Sequence, residues 1–181
     1  MTTICAVKDP ETGTVWLGSN SQHCRGDERV PSTQSKWDRM GQWAIANAGS
    51  TKHAYVVKTD ELLKKSEPLT LVEFVSRLRK IFIDNEIRAP DDDQDGVSTD
   101  FGAYFVLAHE TGVYGLDRML TPHKIDDGEI WANGSGCDYA RGAFLAARSL
   151  GQSIEDSLRI AVEIAISCDR GSPGSAIIEQ L

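Results

Sequence analysis

The chain opens on a strand, and that feature constrains its fold more than any other. Thr3 to Lys8 reads as a short strand, Asp9-Pro10-Glu11-Thr12-Gly13 is a cluster of turn formers, and Thr14-Val15-Trp16-Leu17-Gly18 reads as the returning strand. A hairpin therefore stands at the start of the chain, with its first residues at a strand end. Lys36-Trp37-Asp38-Arg39-Met40, a turn at Gly41-Gln42 and Trp43-Ala44-Ile45-Ala46 give a second hairpin-like unit.

Helical pattern takes over after Gly49. Thr51 to Lys65 reads as one helix and Leu71 to Asn85 as another, with Leu71, Phe74, Val75, Leu78 and Phe82 at helical spacing. Thr70 and Glu73 have the spacing of a capping box. The acidic segment Asp91-Asp92-Asp93-Gln94-Asp95-Gly96 is a loop. Ala103 to His109 and Val113 to Leu116 are strands joined by Glu110-Thr111-Gly112.

A short strand at Ile130 to Ala132 leads into Gly134-Ser135-Gly136 and a helix from about Tyr139 to Leu150, rich in alanine and glycine. Gly151 breaks it, Ser153 and Asp156 offer a second cap, and a helix runs on to about Cys168. Ala176 to Glu179 is a last strand. Antiparallel strands with grouped helix pairs predict an α+β fold, with two stacked sheets and a helix layer outside each. No internal repeat or linker divides the chain, so residues 1–181 are expected to form a single domain.

A length of 181 residues suits one domain with a substantial core. The formal charge of −8 disfavours non-specific attraction to nucleic acid or to an anionic membrane. Cys5, Cys24, Cys137 and Cys168 are scattered without metal-like or C-x-x-C spacing, which reads as free thiols in a reducing compartment. No apolar run approaches membrane-spanning length and no signal segment precedes the first strand, so the expected location is cytoplasmic.

Six short elements, in order, resemble the proteasome β-subunit and HslV family of N-terminal-nucleophile hydrolases. They are Met1-Thr2-Thr3-Ile4, Gly18-Ser19-Asn20-Ser21, Lys36, Ala48-Gly49-Ser50, Gly134-Ser135-Gly136-x-Asp138-Tyr139-Ala140 and Asp169-x-x-Ser172. The resemblance implies a four-layer αββα sandwich and a threonine-type peptidase whose nucleophile is Thr2 after loss of Met1. It implies that Lys36 tunes the site, that Gly49 supplies an oxyanion N–H, and that Ser135, Asp169 and Ser172 organise the surroundings. It places Asn47 at the floor of a substrate pocket, which predicts small or polar side chains before the cut. It further implies polypeptide substrates, a homo-oligomeric ring and an ATP-dependent unfoldase partner.

The chemistry stands on its own terms. A threonine hydroxyl is a poor nucleophile until a base takes its proton, and a terminal amine on the same residue can do so. That amine titrates near 7.7–8.0 in reference peptides, and an ammonium group close by favours its neutral form. The reaction needs no cofactor and no metal. Asn20 stands where the resembled family carries an aspartate, so the partner of Lys36 is an amide without charge. On charge alone, Asn20→Asp is expected to raise the rate about tenfold or more, and tenfold requires only about 1.4 kcal/mol.

Competing motifs fail. No serine has the G-x-S-x-G surroundings of a nucleophile elbow. His23 and Cys24 are adjacent, and neighbours on a strand point to opposite faces. Asp91, Asp93, Asp95 and Gly96 imitate a calcium loop, but its twelfth position is Gly102. The alternative to an enzyme is a structural or assembly subunit that keeps the fold with weak or no catalysis, and Asn20 is its motivation.

Overall fold

In this computed structural model the described residues are 2–21, 23–25, 28–30, 32–49, 51–64, 68–87 and 100–181. In chain order the elements are β1 (Thr3–Lys8), β2 (Val15–Asn20), β3 (His23–Arg25), β4 (Glu28–Val30), β5 (Asp38–Met40) and β6 (Trp43–Ala48). Helices α1 (Thr51–Thr59), α2 (Glu61–Lys64) and α3 (Leu71–Asp84) follow, then β7 (Tyr104–His109), β8 (Gly112–Leu116), β9 (Pro122–Ile125) and β10 (Trp131–Gly134). The chain closes with α4 (Cys137–Ser149), α5 (Ile154–Cys168) and β11 (Ala176–Gln180). The acidic segment 91–96, Ser50 and Lys65 lie outside the described residues.

Two antiparallel sheets carry the architecture, in strand orders β10-β1-β2-β11 and β5-β6-β7-β8-β9. The separate pair β3–β4 forms a two-stranded ribbon. Strand β1 shows how the layers stack, because its two faces meet different partners. Cys5 and Val7 pack with Phe144, Leu158, Val162 and Ala165 of α4 and α5. Ile4 and Ala6 pack with Ala44, Ala46, Val106 and Ala108 of the second sheet. On the far side of that sheet, Trp43, Ile45, Phe105 and Leu107 meet Val56, Phe74, Leu78 and Phe82 of α1 and α3. Three cores therefore separate four layers, helices, sheet, sheet and helices, as the αββα expectation requires. Phe74, Leu78 and Phe82 are wholly buried, each stabilising the fold by about 1.5–3 kcal/mol.

The sequence reading and the structure differ in a few places. The helix expected over Thr51 to Lys65 is two, broken at Asp60. The Asp60 carboxylate caps the second piece by accepting the Leu63 N–H at 2.9 Å, and pairs with Arg77 at 2.6 Å. Helix α3 carries the expected capping box: the Glu73 N–H donates to Thr70 Oγ1 at 3.3 Å, and the Thr70 N–H to Glu73 Oε2 at 2.8 Å. Strands β3, β4 and β9 were not expected. Lys36 lies outside β5, which begins at Asp38, and Asp38 pairs with Lys58 at 3.1 Å. No helix among the described residues is long and apolar enough to cross a membrane.

Candidate active site

The alternation along β1 places residue 2. Ile4 and Ala6 face the gap between the sheets, so Thr2 falls on the same side and at the mouth of that gap. Thr3 turns the other way, is fully buried, and donates from Oγ1 to Ser172 Oγ at 2.8 Å. The threonine pair therefore serves two sites from adjacent positions, the first open and the second locked.

Lys36 is carried to Thr2 by its neighbours. The buried Trp37 donates its indole N–H to the Gly18 carbonyl at 3.2 Å, and Ser35 Oγ donates to Glu179 Oε1 at 2.5 Å. The Lys36 N–H itself bonds Ser19 Oγ at 3.3 Å. So held, the ammonium group donates to Thr2 Oγ1 at 2.9 Å and to Asn20 Oδ1 at 2.9 Å. An ammonium group at that distance can stabilise negative charge on a hydroxyl oxygen.

Asn20 is fully buried and hydrogen-bonded at both ends of its amide. Its Oδ1 also accepts the Thr3 N–H at 2.8 Å, while its Nδ2 donates to the Pro173 carbonyl at 2.8 Å. A carboxylate keeps the first two contacts but cannot make the third, and it sets an anion against a carbonyl oxygen. This changes the charge-only expectation for Asn20→Asp. The gain at Lys36 is opposed by loss of the half-buried hydrogen bond to Pro173, which costs about 0.5–1.5 kcal/mol.

Asp169 gathers the remaining polar residues. It closes α5 as the C-cap and accepts from Ser135 Oγ at 2.5 Å, from Ser172 Oγ at 2.7 Å and from the Gly171 N–H at 2.9 Å. Burial pushes its carboxyl upward, but these donors outweigh burial and hold it below the ordinary carboxylate range. The path Ser135–Asp169–Ser172–Thr3 thus reaches the residue beside the candidate nucleophile. Glycines make room for it. A Cβ on Gly134 would lie 1.8 Å from the Thr2 carbonyl oxygen, and one on Gly136 would lie 2.2 Å from Thr3 Oγ1.

A cleft of about 410 Å³ opens at this point, lined by Thr2, Ala48, Gly49, Asn133, Gly134 and Ser135. Gly49 ends β6 with a φ of 142°, a conformation that side-chain-bearing residues rarely adopt. Asn47 does not line this cleft. It shares a small separate cavity with Asp38, Ala54, Val57 and Phe105 on the α1 side, because Trp43, Ile45 and Asn47 alternate away from the first sheet. Thr2, Lys36, Asn20, Gly49 and Ser135 therefore converge, Asp169 and Ser172 reach them through Ser135 and Thr3, and Asn47 stands apart. Thr3, Asn133 and the Pro173 carbonyl were not foreseen. Alternation from Thr2 was enough to find Thr3, whereas Asn133 carries no local signal.

No family model and no curated protein matches the sequence. Solved structures do match. BPH from Thiobacillus denitrificans has a TM-score of 0.78 at 20% identity, covering 99% of this chain and 97% of that one. The same protein in complex with epoxomicin has a TM-score of 0.77 at 20% identity, covering 99% and 98%. Eukaryotic HslV from Trypanosoma brucei has a TM-score of 0.67 at 22% identity, covering 99% of each chain. With the layers and strand orders above, these likenesses show that the chain has the fold of the HslV-like, proteasome β-type N-terminal-nucleophile hydrolases.

Proposed function

We propose that the chain is a threonine peptidase that cleaves peptide bonds through Thr2 once Met1 has been removed. The observation that carries this reading is the Lys36 ammonium, 2.9 Å from Thr2 Oγ1 at the mouth of a cleft that Gly49 also lines. The exposed α-amine of Thr2 takes the hydroxyl proton, and Oγ1 attacks the peptide carbonyl carbon. The oxyanion forms against the Gly49 N–H, and Lys36 stabilises the developing charge on Oγ1. The amine then returns its proton to the departing amine, leaving an ester on Thr2. Water, deprotonated by the same amine, attacks that ester and releases the new carboxylate end. Asp169, Ser135 and Ser172 fix the backbone around Thr2 through their shared hydrogen bonds.

The likeness to HslV supports extending the reading to a homo-oligomeric ring that encloses its sites, fed with polypeptide by an ATP-dependent unfoldase in the cytoplasm. Light scattering tests the ring, and a monomer at micromolar concentration contradicts it. Because BPH, whose fold this chain shares, forms a complex with epoxomicin, that compound is the ligand to try.

One observation favours a second reading, a catalytically weak structural subunit. The partner of Lys36 is the neutral Asn20, which supplies a hydrogen bond without a countercharge. Hydrolysis of a fluorogenic peptide panel by the parent and by Thr2→Ala decides between them. Turnover lost in Thr2→Ala supports the peptidase. Equal turnover in both, or none in a parent shown by mass to lack Met1, supports the structural subunit.

A further inference from the structure

The candidate nucleophile and the candidate oxyanion donor belong to different sheets. Thr2 leads into β1 of one, and Gly49 leaves β6 of the other. Among the described residues no ladder of backbone hydrogen bonds joins these sheets, so the distance between the two groups is set by side chains that cross the gap.

Asn133 crosses it beside the cleft. It sits on β10 opposite Ile4, so its side chain shares the inter-sheet face. Its Nδ2 donates to the Tyr104 carbonyl at 3.3 Å, and its Oδ1 accepts the Gly134 N–H at 2.7 Å. Both ends of that amide lead directly to the site. Tyr104 pairs with Ala48, the residue before Gly49. Gly134 pairs with Thr3 and packs so closely on the Thr2 carbonyl that no side chain fits between. A short chain of contacts therefore runs from Thr2 through Gly134, Asn133 and Tyr104 to Ala48 and Gly49.

We propose that Asn133 is a positioning residue that ties the Thr2-bearing sheet to the Gly49-bearing strand and so fixes the separation of nucleophile and oxyanion donor. This rests on the peptidase reading for its catalytic meaning, though the tie itself is independent of turnover. Displacements of about 1 Å in such an arrangement cost on the order of 10²-fold in rate. The effect falls on the chemical step, because Asn133 holds the two groups apart at a set distance in the free protein.

Two variants separate the contacts. Asn133→Asp keeps an acceptor for the Gly134 N–H and loses the donor to Tyr104, while Asn133→Leu loses both. Hydrogen exchange of the Ala48 and Tyr104 amides, partners on β6 and β7, is followed in each, alongside kcat and KM for a peptide substrate. The expected result is exchange at least tenfold faster at both amides in both variants, with kcat down tenfold or more and KM within twofold. Exchange in Asn133→Asp that matches the parent overturns the proposal. So does a kcat within twofold of the parent when the parent is active. If the parent hydrolyses nothing, the peptidase reading fails, and the exchange comparison alone upholds or overturns the tie.

Discussion

The Asn20 amide oxygen accepts from the Lys36 ammonium at 2.9 Å and from the Thr3 N–H at 2.8 Å, so one atom fixes both the lysine and the backbone beside Thr2. A buried neutral acceptor holds a lysine in place without the countercharge of a carboxylate. The amide nitrogen, committed to Pro173, fixes which way round the side chain sits.

Substituting Asn20 separates these duties. Asn20→Asp is expected to lose about 0.5–1.5 kcal/mol of stability through loss of the half-buried Pro173 hydrogen bond. For a chain of this size that is a fall of roughly 2–4 °C in Tm per kcal/mol. Its rate is expected to stay within about tenfold of the parent. Asn20→Leu, which keeps none of the contacts, should lose far more of both. Calorimetry and peptide hydrolysis on the two variants check this. An Asp variant as stable as the parent and more than tenfold faster would restore the simple charge argument.

Lys36→Met removes the donor to Thr2 Oγ1 while retaining an unbranched chain of similar length. The expected loss is on the order of 10²–10³ in kcat, the usual effect of deleting one preorganised donor. Steady-state kinetics read it. A variant within a few-fold of the parent would remove Lys36 from the mechanism.

Asp169 gives a pH signature. Its carboxyl is held below the ordinary value of 3.8, so the unfolded chain takes up the proton first as pH falls. Its stabilising contribution is complete above the unfolded value and is lost as pH drops through the lower folded value. Asp169→Asn should therefore be less stable than the parent by a constant margin between about pH 5 and pH 7. That margin should shrink below about pH 4. Urea unfolding at pH 7, 5 and 3 measures it, and a margin that widens on acidification contradicts the assignment.

Gly136 and Gly142 make a paired test of close packing. A methyl on Gly136 meets Thr3 Oγ1 at 2.2 Å and Ala165 Cβ at 3.1 Å, whereas one on Gly142 of α4 meets nothing within 4 Å. Gly136→Ala should destabilise by about 1–3 kcal/mol and depress activity, because it pushes on the Thr3–Ser172 bond. Gly142→Ala, in an exposed helix interior, should stabilise by up to about 1 kcal/mol and leave activity unchanged. Denaturant midpoints for both variants decide it.

Much of the fold was legible because its signals are local. The turn at Asp9–Gly13 and the Thr70–Glu73 cap are written in neighbouring residues, and the structure contains both. The break at Asp60 was hidden because it depends partly on Arg77, which lies on another helix. Strand β9 was hidden because Pro122-His123-Lys124-Ile125 has neither apolar alternation nor buried residues, and it exists by pairing with β8. At the site, the motif order brought Lys36 to Thr2, but the Pro173 contact that constrains Asn20 joins residues 153 positions apart. Asn133 was invisible for the same reason, since its meaning lies in a carbonyl on the opposite sheet. Asn47, which strand alternation in β6 turns toward α1, lines a small cavity with Asp38 and Val57.

In the proposed mechanism Thr2 carries both the nucleophilic oxygen and, after loss of Met1, the amine that activates it. Intact-mass and peptide-mapping spectrometry of the purified protein, before and after treatment with epoxomicin, tests it most directly. The expected result is a chain lacking Met1 that gains one epoxomicin mass on Thr2, and no gain in Thr2→Ala. A chain that keeps Met1, or one that lacks it and takes up epoxomicin at another residue or not at all, would contradict a Thr2 nucleophile.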